Sequence, residues 1–161
     1  MNTRNPLPAI AAACMVAAIS AYAPVSVYAA PTNGHGWTAN GGTACQKYLT
    51  PDVVAEILGR APGPAVQTDA ASCNTGSIYI NLLVADVDVF RLEIPRIYGA
   101  HPITGIGDAA FWNHAGALSA VKGHERGCDI SVIGEAYATK IHDEALARKL
   151  GEICNKLFAL P

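Results

Sequence analysis

Between residues 126 and 133 the chain alternates, with Cys128, Ile130 and Val132 on one side and Asp129 and Ser131 on the other. That two-residue period predicts a half-buried strand. Residues 109–113 and 117–122 read as two further short strands, and the connectors at 114–116 and 123–125 are short enough for hairpins. Residues 77–84 (SIYINLLV) place Ile78, Ile80, Leu82 and Val84 on one face of another strand. Helical spacing takes over in two places. From residue 139 to 158, Ile141, Leu146, Leu150, Ile153, Cys154 and Leu157 form one apolar stripe, with His142 in the first turn of the predicted helix. A shorter helix has Thr50 as its cap, Pro51 at its first position, Asp52 beside the positive end of the dipole and Gly59 as its stop. Val53, Val54, Ile57 and Leu58 make its buried side.

Residues 86–98 fit two periods. Phe90, Leu92 and Ile94 alternate, whereas Val87, Phe90, Ile94, Ile97 and Tyr98 make a helical stripe, and Pro95 interrupts either element. The helix is the preferred reading. Residues 60–72 and 101–107 read as loops. The order predicts one compact α+β domain, in which an antiparallel sheet of about four strands packs against N-terminal and C-terminal helices.

The amino end has a different pattern. After Arg4, residues 9–23 (AIAAACMVAAISAYA) form an uncharged apolar run of 15 residues, shorter than the roughly 20 a bilayer span needs. Nothing polar alternates along it, as it would in an amphipathic core helix. The run fits the apolar region of a secretory signal peptide, and Val27-Tyr28-Ala29 supplies a small-x-small cleavage site with Ala30 as the first mature residue. Residues 1–29 are therefore read as a signal peptide, with no stable membrane span after cleavage. Cys14, after three alanines, loosely matches a lipoprotein box but lacks its usual Leu and would cut the apolar run in two. Residues 30–44, rich in Gly, Asn and Thr and including His35 and Trp37, read as a flexible leader to a single domain spanning 45–161.

Composition narrows the partners. The 161 residues carry 11 Lys and Arg against 13 Asp and Glu, a formal charge of −2 spread without blocks. A polyanion-binding protein needs a basic face, so no nucleic-acid partner is expected. Export makes the remaining cysteines, Cys45, Cys73, Cys128 and Cys154, candidates for two disulfides. Their spacing lacks the C-x-x-C pairs of zinc and redox sites. Cys128 lies on the apolar face of its strand and Cys154 on the apolar stripe of the last helix. Packing one on the other joins them, leaving Cys45 and Cys73 as the second bridge. Each bridge closes a loop of about 25 residues, worth about 3 kcal/mol in the chain-entropy model.

Two stretches resemble a family of small secreted bacterial domains of unknown function, several of them lipoproteins. One is Cys45-Gln46-Lys47-Tyr48-Leu49-Thr50-Pro51-Asp52-Val53, running to Leu58-Gly59, with Cys73 ahead of the first strand. The other is Gly105-Ile106-Gly107-Asp108-Ala109-Ala110-Phe111-Trp112. The resemblance spans roughly residues 45–158. It implies a Cys45–Cys73 bond and an extracytoplasmic domain without enzymatic activity, and it carries over no catalytic residue.

Candidate chemistry is sparse. Gly105-Ile106-Gly107-Asp108 is too short for a dinucleotide fingerprint and reads as a tight turn with Asp108 bonding backbone groups, so no cofactor is expected. Ser72, Ser77, Ser119 and Ser131 lack a nucleophile-elbow setting, and no catalytic residues are assigned. His114, His124 and Glu125 are the nearest set for a metal, although consecutive connectors of a meander lie at opposite ends of a sheet. His101 and His142 read as surface residues. Tyr79, Phe111 and Trp112 could line a small apolar groove for a ligand, although aromatics at strand positions most often pack into the core. The sequence thus points to a periplasmic or secreted, disulfide-stapled, non-catalytic domain that binds a protein partner or a small ligand. A periplasmic metal-binding protein and a small hydrolase with unrecognised paired carboxylates are the alternatives. Mass spectrometry of the processed protein is expected to find Ala30 at its amino terminus; a chain beginning at a lipid-modified Cys14 contradicts that reading.

Overall fold

A computed structural model describes residues 36–60, 65–97 and 99–161. The signal peptide expected at 1–29, with Cys14, and His35 and Tyr98 lie outside the described residues. Seven strands form one antiparallel sheet: β1 (Val66–Gln67), β2 (Ser72–Asn74), β3 (Ile78–Leu83), β4 (His101–Pro102), β5 (Ala109–Asn113), β6 (Ala117–Lys122) and β7 (Arg126–Val132). Their order across the sheet is β1-β2-β3-β7-β6-β5-β4. Five α-helical segments accompany it: α1 (Gly41–Thr43), α2 (Pro51–Leu58), α3 (Val87–Glu93), α4 (Gly134–Thr139) and α5 (Glu144–Phe158).

The class is α+β, but the expected sheet of about four strands is too small. The additional strands, β1, β2 and β4, arise where the sequence reads as loop. Each has only two or three residues, too few to show a period, and each exists because a longer neighbour offers it a hydrogen-bonding edge. Cys73 pairs with Ile80, and His101 with Trp112. Pro102 in β4 blunts that outer edge, since proline has no N–H to offer another strand.

Register defines two faces. Ile80, Ile130 and Leu118 line up across β3, β7 and β6, with Trp112 next in β5, and point to an inner face. There they meet Val54, Ile57 and Leu58 of α2 and Leu146, Leu150, Ile153 and Leu157 of α5 in the main core. α2 starts at Pro51 and ends at Gly59 in the left-handed region, as the sequence indicates, although the Thr50 side chain makes no capping bond. The segment 86–98 is helical at first. Asp86 accepts from the backbone N–H groups of Asp88 and Val89 at the start of α3, and Pro95 falls in the 3-10 turn Ile94–Arg96 that ends it. α3 packs on the outer face, where Val87, Phe90 and Ile94 join Phe111 and Val121 in a smaller core.

Two further expectations change. Of the leader expected at 30–44, the described residues 36–44 wind through helical turns, and Trp37, 9% exposed, is part of the main core. Its Nε1–H donates to the Gly127 carbonyl at 2.9 Å, and its ring stacks on Phe158 at 5.5 Å. The predicted helix over 139–158 is broken. α4 ends at Thr139, Ile141 is 79% exposed, and α5 begins afresh with Asp143 accepting from the Leu146 N–H. Ile141 continues the apolar spacing by coincidence, and His142 lies before the helix cap rather than in its first turn.

The disulfides join Cys128 to Cys154 and Cys45 to Cys73. The first ties the central strand to α5 inside the main core, and the second ties the segment ahead of α2 to β2. The 105–108 turn is held in place by the same helix: Asn155 accepts from the Gly107 N–H at 2.9 Å and donates to the Gly105 carbonyl at 2.8 Å. Gly107 has φ +55°, and a Cβ there would run into the Val121 carbonyl oxygen, so this position admits only glycine. Replacing Cys154 with Ala is expected to cost about 2–5 kcal/mol in a denaturant titration, with Cys128 left as a thiol that reacts only on unfolding; peptide mapping without reductant checks the pairing directly.

Candidate functional site

The outer face divides in two. At one end α3 covers Leu83, Val121, Ala109 and Phe111. At the other, no described helix packs over the small and polar positions of the central strands: Tyr79 and Asn81 of β3, Asp129 and Ser131 of β7, and Ala117 and Ser119 of β6. Asn81, Asp129 and Ser119 stand side by side in one row, and Tyr79, Ser131 and Ala117 in the next. All six are half-buried.

Asp129 is the notable member of this set. Loss of solvent pushes its carboxyl up to about 6, with the Ser119 hydrogen bond opposing the shift. The alternation over 126–133 already assigns Asp129 to the face opposite Cys128. It could not show that the face stays open, because that depends on how far α3 reaches.

α3 borders this open half and has apolar residues on its own outward side. Val89 and Leu92, three residues apart and so on one side of the helix, are 50% and 67% exposed.

The remaining candidates separate. Tyr79, Phe111 and Trp112 do not line one groove. Phe111 and Trp112 are strand neighbours and point to opposite faces: Phe111 packs on Phe90 at 5.5 Å in the outer core, while Trp112 lies in the inner core. Tyr79 is on the outer face of β3, with β7 and β6 between it and β5. Ser119 and Ser131 sit beside Asp129, but no described histidine occupies a strand position on that face.

His114 and His124 lie in the turns at the two ends of β6, about 20 Å apart at ~3.3 Å per residue, so with Glu125 they form no common site. His124 instead meets α3. Its Nδ1 donates to Asp86 Oδ2 at 2.7 Å, and the ligand atoms of Asp86, Asp88 and His124 lie within 4.8 Å of one another. Both oxygens of Asp86 are already engaged, Oδ2 by His124 and Oδ1 by the N–H groups of Asp88 and Val89. The hydrogen bond and charge of Asp86 raise His124 above its ordinary value, and the hydrogen bond from His124 lowers Asp86. Nearby, the Val87 N–H donates to the Gly123 carbonyl and the Gly123 N–H to Asp108. This cluster therefore clamps the β6–β7 turn to α3, a structural use of residues that also resemble a ligand set.

At the other end of the sheet His101, Trp112 and His114 are in mutual ring contact, and His114 is linked to His142. A depression between Trp112, Gly116, His142 and Leu150 has room for about 10 Å³, and one between α2 and α5 for about 70 Å³. The first is about the size of one water molecule.

Comparison with protein-family models, with curated proteins and with solved structures returns no match. Asp129 supplies a direct check of the outer face. An acid raised from 3.8 to about 6 on folding binds its proton more tightly in the folded state, so its contribution to stability falls as pH rises through that window and is constant above it. Asp129→Asn is expected to unfold at a higher urea concentration than the wild type at pH 7.5, with the advantage shrinking towards pH 4; an advantage independent of pH contradicts a desolvated carboxylate.

Proposed function

We propose that this chain is an exported, disulfide-stapled domain that binds a protein partner without catalysis, using the open half of its outer sheet face and the adjoining ridge of α3. The exposure of Val89 and Leu92 on α3, beside a sheet surface that no described helix covers, carries this reading. Scattered apolar residues on a surface are ordinary, but apolar side chains grouped beside an open sheet face have the character of a recognition surface. Half-buried Asp129, flanked by Ser119, Asn81 and Tyr79, offers a partner hydrogen-bonding groups at the centre of that surface. A protein partner is favoured over a small ligand because the depressions between Trp112 and α5 and between α2 and α5, about 10 and 70 Å³, fall well short of the roughly 300 Å³ or more of ordinary small-molecule sites. Two disulfides in one small domain fit an oxidising compartment. Together with the apolar run at 9–23 and the resemblance of residues 45–59 and 105–112 to small secreted bacterial domains, they support export to the periplasm or beyond.

Photo-cross-linking in the native compartment tests the reading. A cross-linking residue at Leu92 is expected to give one discrete protein adduct, one at Glu152 on the exposed side of α5 none, and Val89→Asp to reduce the Leu92 adduct at least tenfold. An adduct formed only from position 152, or turnover of any substrate that Asp129→Asn abolishes, overturns it.

A further inference from the structure

We propose that His101 and His114 together bind one borderline divalent transition-metal ion: Cu²⁺, Ni²⁺ or Zn²⁺. The site lies at the β4–β5 edge of the sheet, away from the outer face assigned to a protein partner, and does not rest on that assignment. His101 pairs with Trp112 across β4 and β5, and His114 is two residues beyond Trp112 on the same side of the sheet. The two imidazoles are therefore diagonal neighbours, both exposed, with ring centres 4.8 Å apart and planes inclined at 71°. With metal–nitrogen bonds of about 2.0–2.1 Å and each nitrogen about 1.1 Å from its ring centre, two imidazoles bound to one ion at right angles to tetrahedral angles have centres about 4.5–5.2 Å apart. The observed spacing falls inside that range, so the backbone already holds the rings at a chelating separation.

Hydrogen bonding settles which nitrogen His114 can offer. Its Nδ1 lies 3.1 Å from the carbonyl oxygen of His142. A carbonyl only accepts, so Nδ1 carries the proton and Nε2 of the neutral ring keeps its lone pair. A backbone carbonyl fixing one ring nitrogen so that the other can ligate is the usual support behind a metal-binding histidine. The bond is reciprocated, since His142 Nδ1 lies 3.0 Å from the His114 carbonyl oxygen, and the pair together holds the 114–116 turn against the segment leading into α5. His101 is steadied differently, by stacking on the buried Trp112 ring at 4.8 Å. Among the described residues its ring nitrogens make no hydrogen bond. Two neutral imidazoles, with water completing the coordination, suit Cu²⁺, Ni²⁺ and Zn²⁺ rather than Mg²⁺ or Ca²⁺, which prefer oxygen.

The stacking also supplies the readout, because an ion on His101 lies close to the Trp112 indole. Cu²⁺ titrated into the full, disulfide-bonded chain at pH 7.5 is expected to quench tryptophan fluorescence with a stoichiometry of one. Zn²⁺ in large excess should reverse the quenching by competition, since Cu²⁺ binds imidazole nitrogen more tightly than Zn²⁺ does. His101→Ala and His114→Ala are each expected to weaken Cu²⁺ binding at least tenfold, with thermal unfolding confirming that the variants fold. Trp37→Phe should leave the quenching in place and Trp112→Phe should remove most of it while isothermal titration still detects the ion. Binding unchanged in both histidine variants overturns the proposal, as does binding lost instead in His124→Asn, which places the ion at the α3 cluster, or in His35→Ala, which makes that histidine the ligand.

Discussion

β7 pairs along its length with β3 on one side and β6 on the other, so residues about 50 apart in sequence meet at the centre of the sheet. That pairing joins the short β1–β3 ribbon to the β4–β6 meander, and the two-residue period of β7 then sorts every neighbouring strand into an inner and an outer face. A slip of one residue would turn Cys128, Ile130 and Val132 outward and bury Asp129 and Ser131. The Cys128–Cys154 bond makes such a slip incompatible with the docking of α5. The sulfur bridge, the core and the face that stays open are thus consequences of one register.

The ends of the sheet are secured by different chemistry. At the β6–β7 turn, Asp86 and Asp108 take up backbone donors while His124 pairs with Asp86, fixing α3 over only half of the outer face. The far side of the inner core is closed by Trp37 and Phe158, and Arg126 donates to the carbonyls of Phe158, the last residue of α5, and of Leu160, satisfying groups that a helix end otherwise leaves open. At the β5–β6 turn, His114 and His142 each donate a ring N–H to the other's backbone carbonyl. Among the described residues, His114, His124 and His142 therefore hold turns, while His101 rests against Trp112.

The polar row around Asp129 lies on a sheet surface rather than in a recess, and the described histidines lie towards the ends of the sheet. The proposed partner surface combines that row with the exposed apolar side chains of α3.

How much of this the sequence contained follows from the range of each signal. Alternation in β7, the short strands β5 and β6, the stripes of α2 and α5 and the start and stop of α2 at Pro51 and Gly59 are set by backbone geometry within a few residues, so they were legible. Placing Cys128 and Cys154 on such faces made their bond legible too. Strands of two or three residues have no period; β2 and β4 formed on the edges of β3 and β5, and β1 on the edge of β2. Trp37 looks like part of a Gly-rich tail until Gly127, 90 positions away, accepts its N–H. The break before α5 was hidden because Ile141 keeps the helical spacing while pointing into solvent. Among the site residues, Asp129 could be assigned to a face from sequence alone, but the openness of that face could not. The meetings of His124 with Asp86 and of His101 with His114 likewise depend on strand register and turn placement. Local periodicity determined which residues share a face; only the tertiary structure decided which faces and turns come together, because those contacts join segments that the chain keeps far apart.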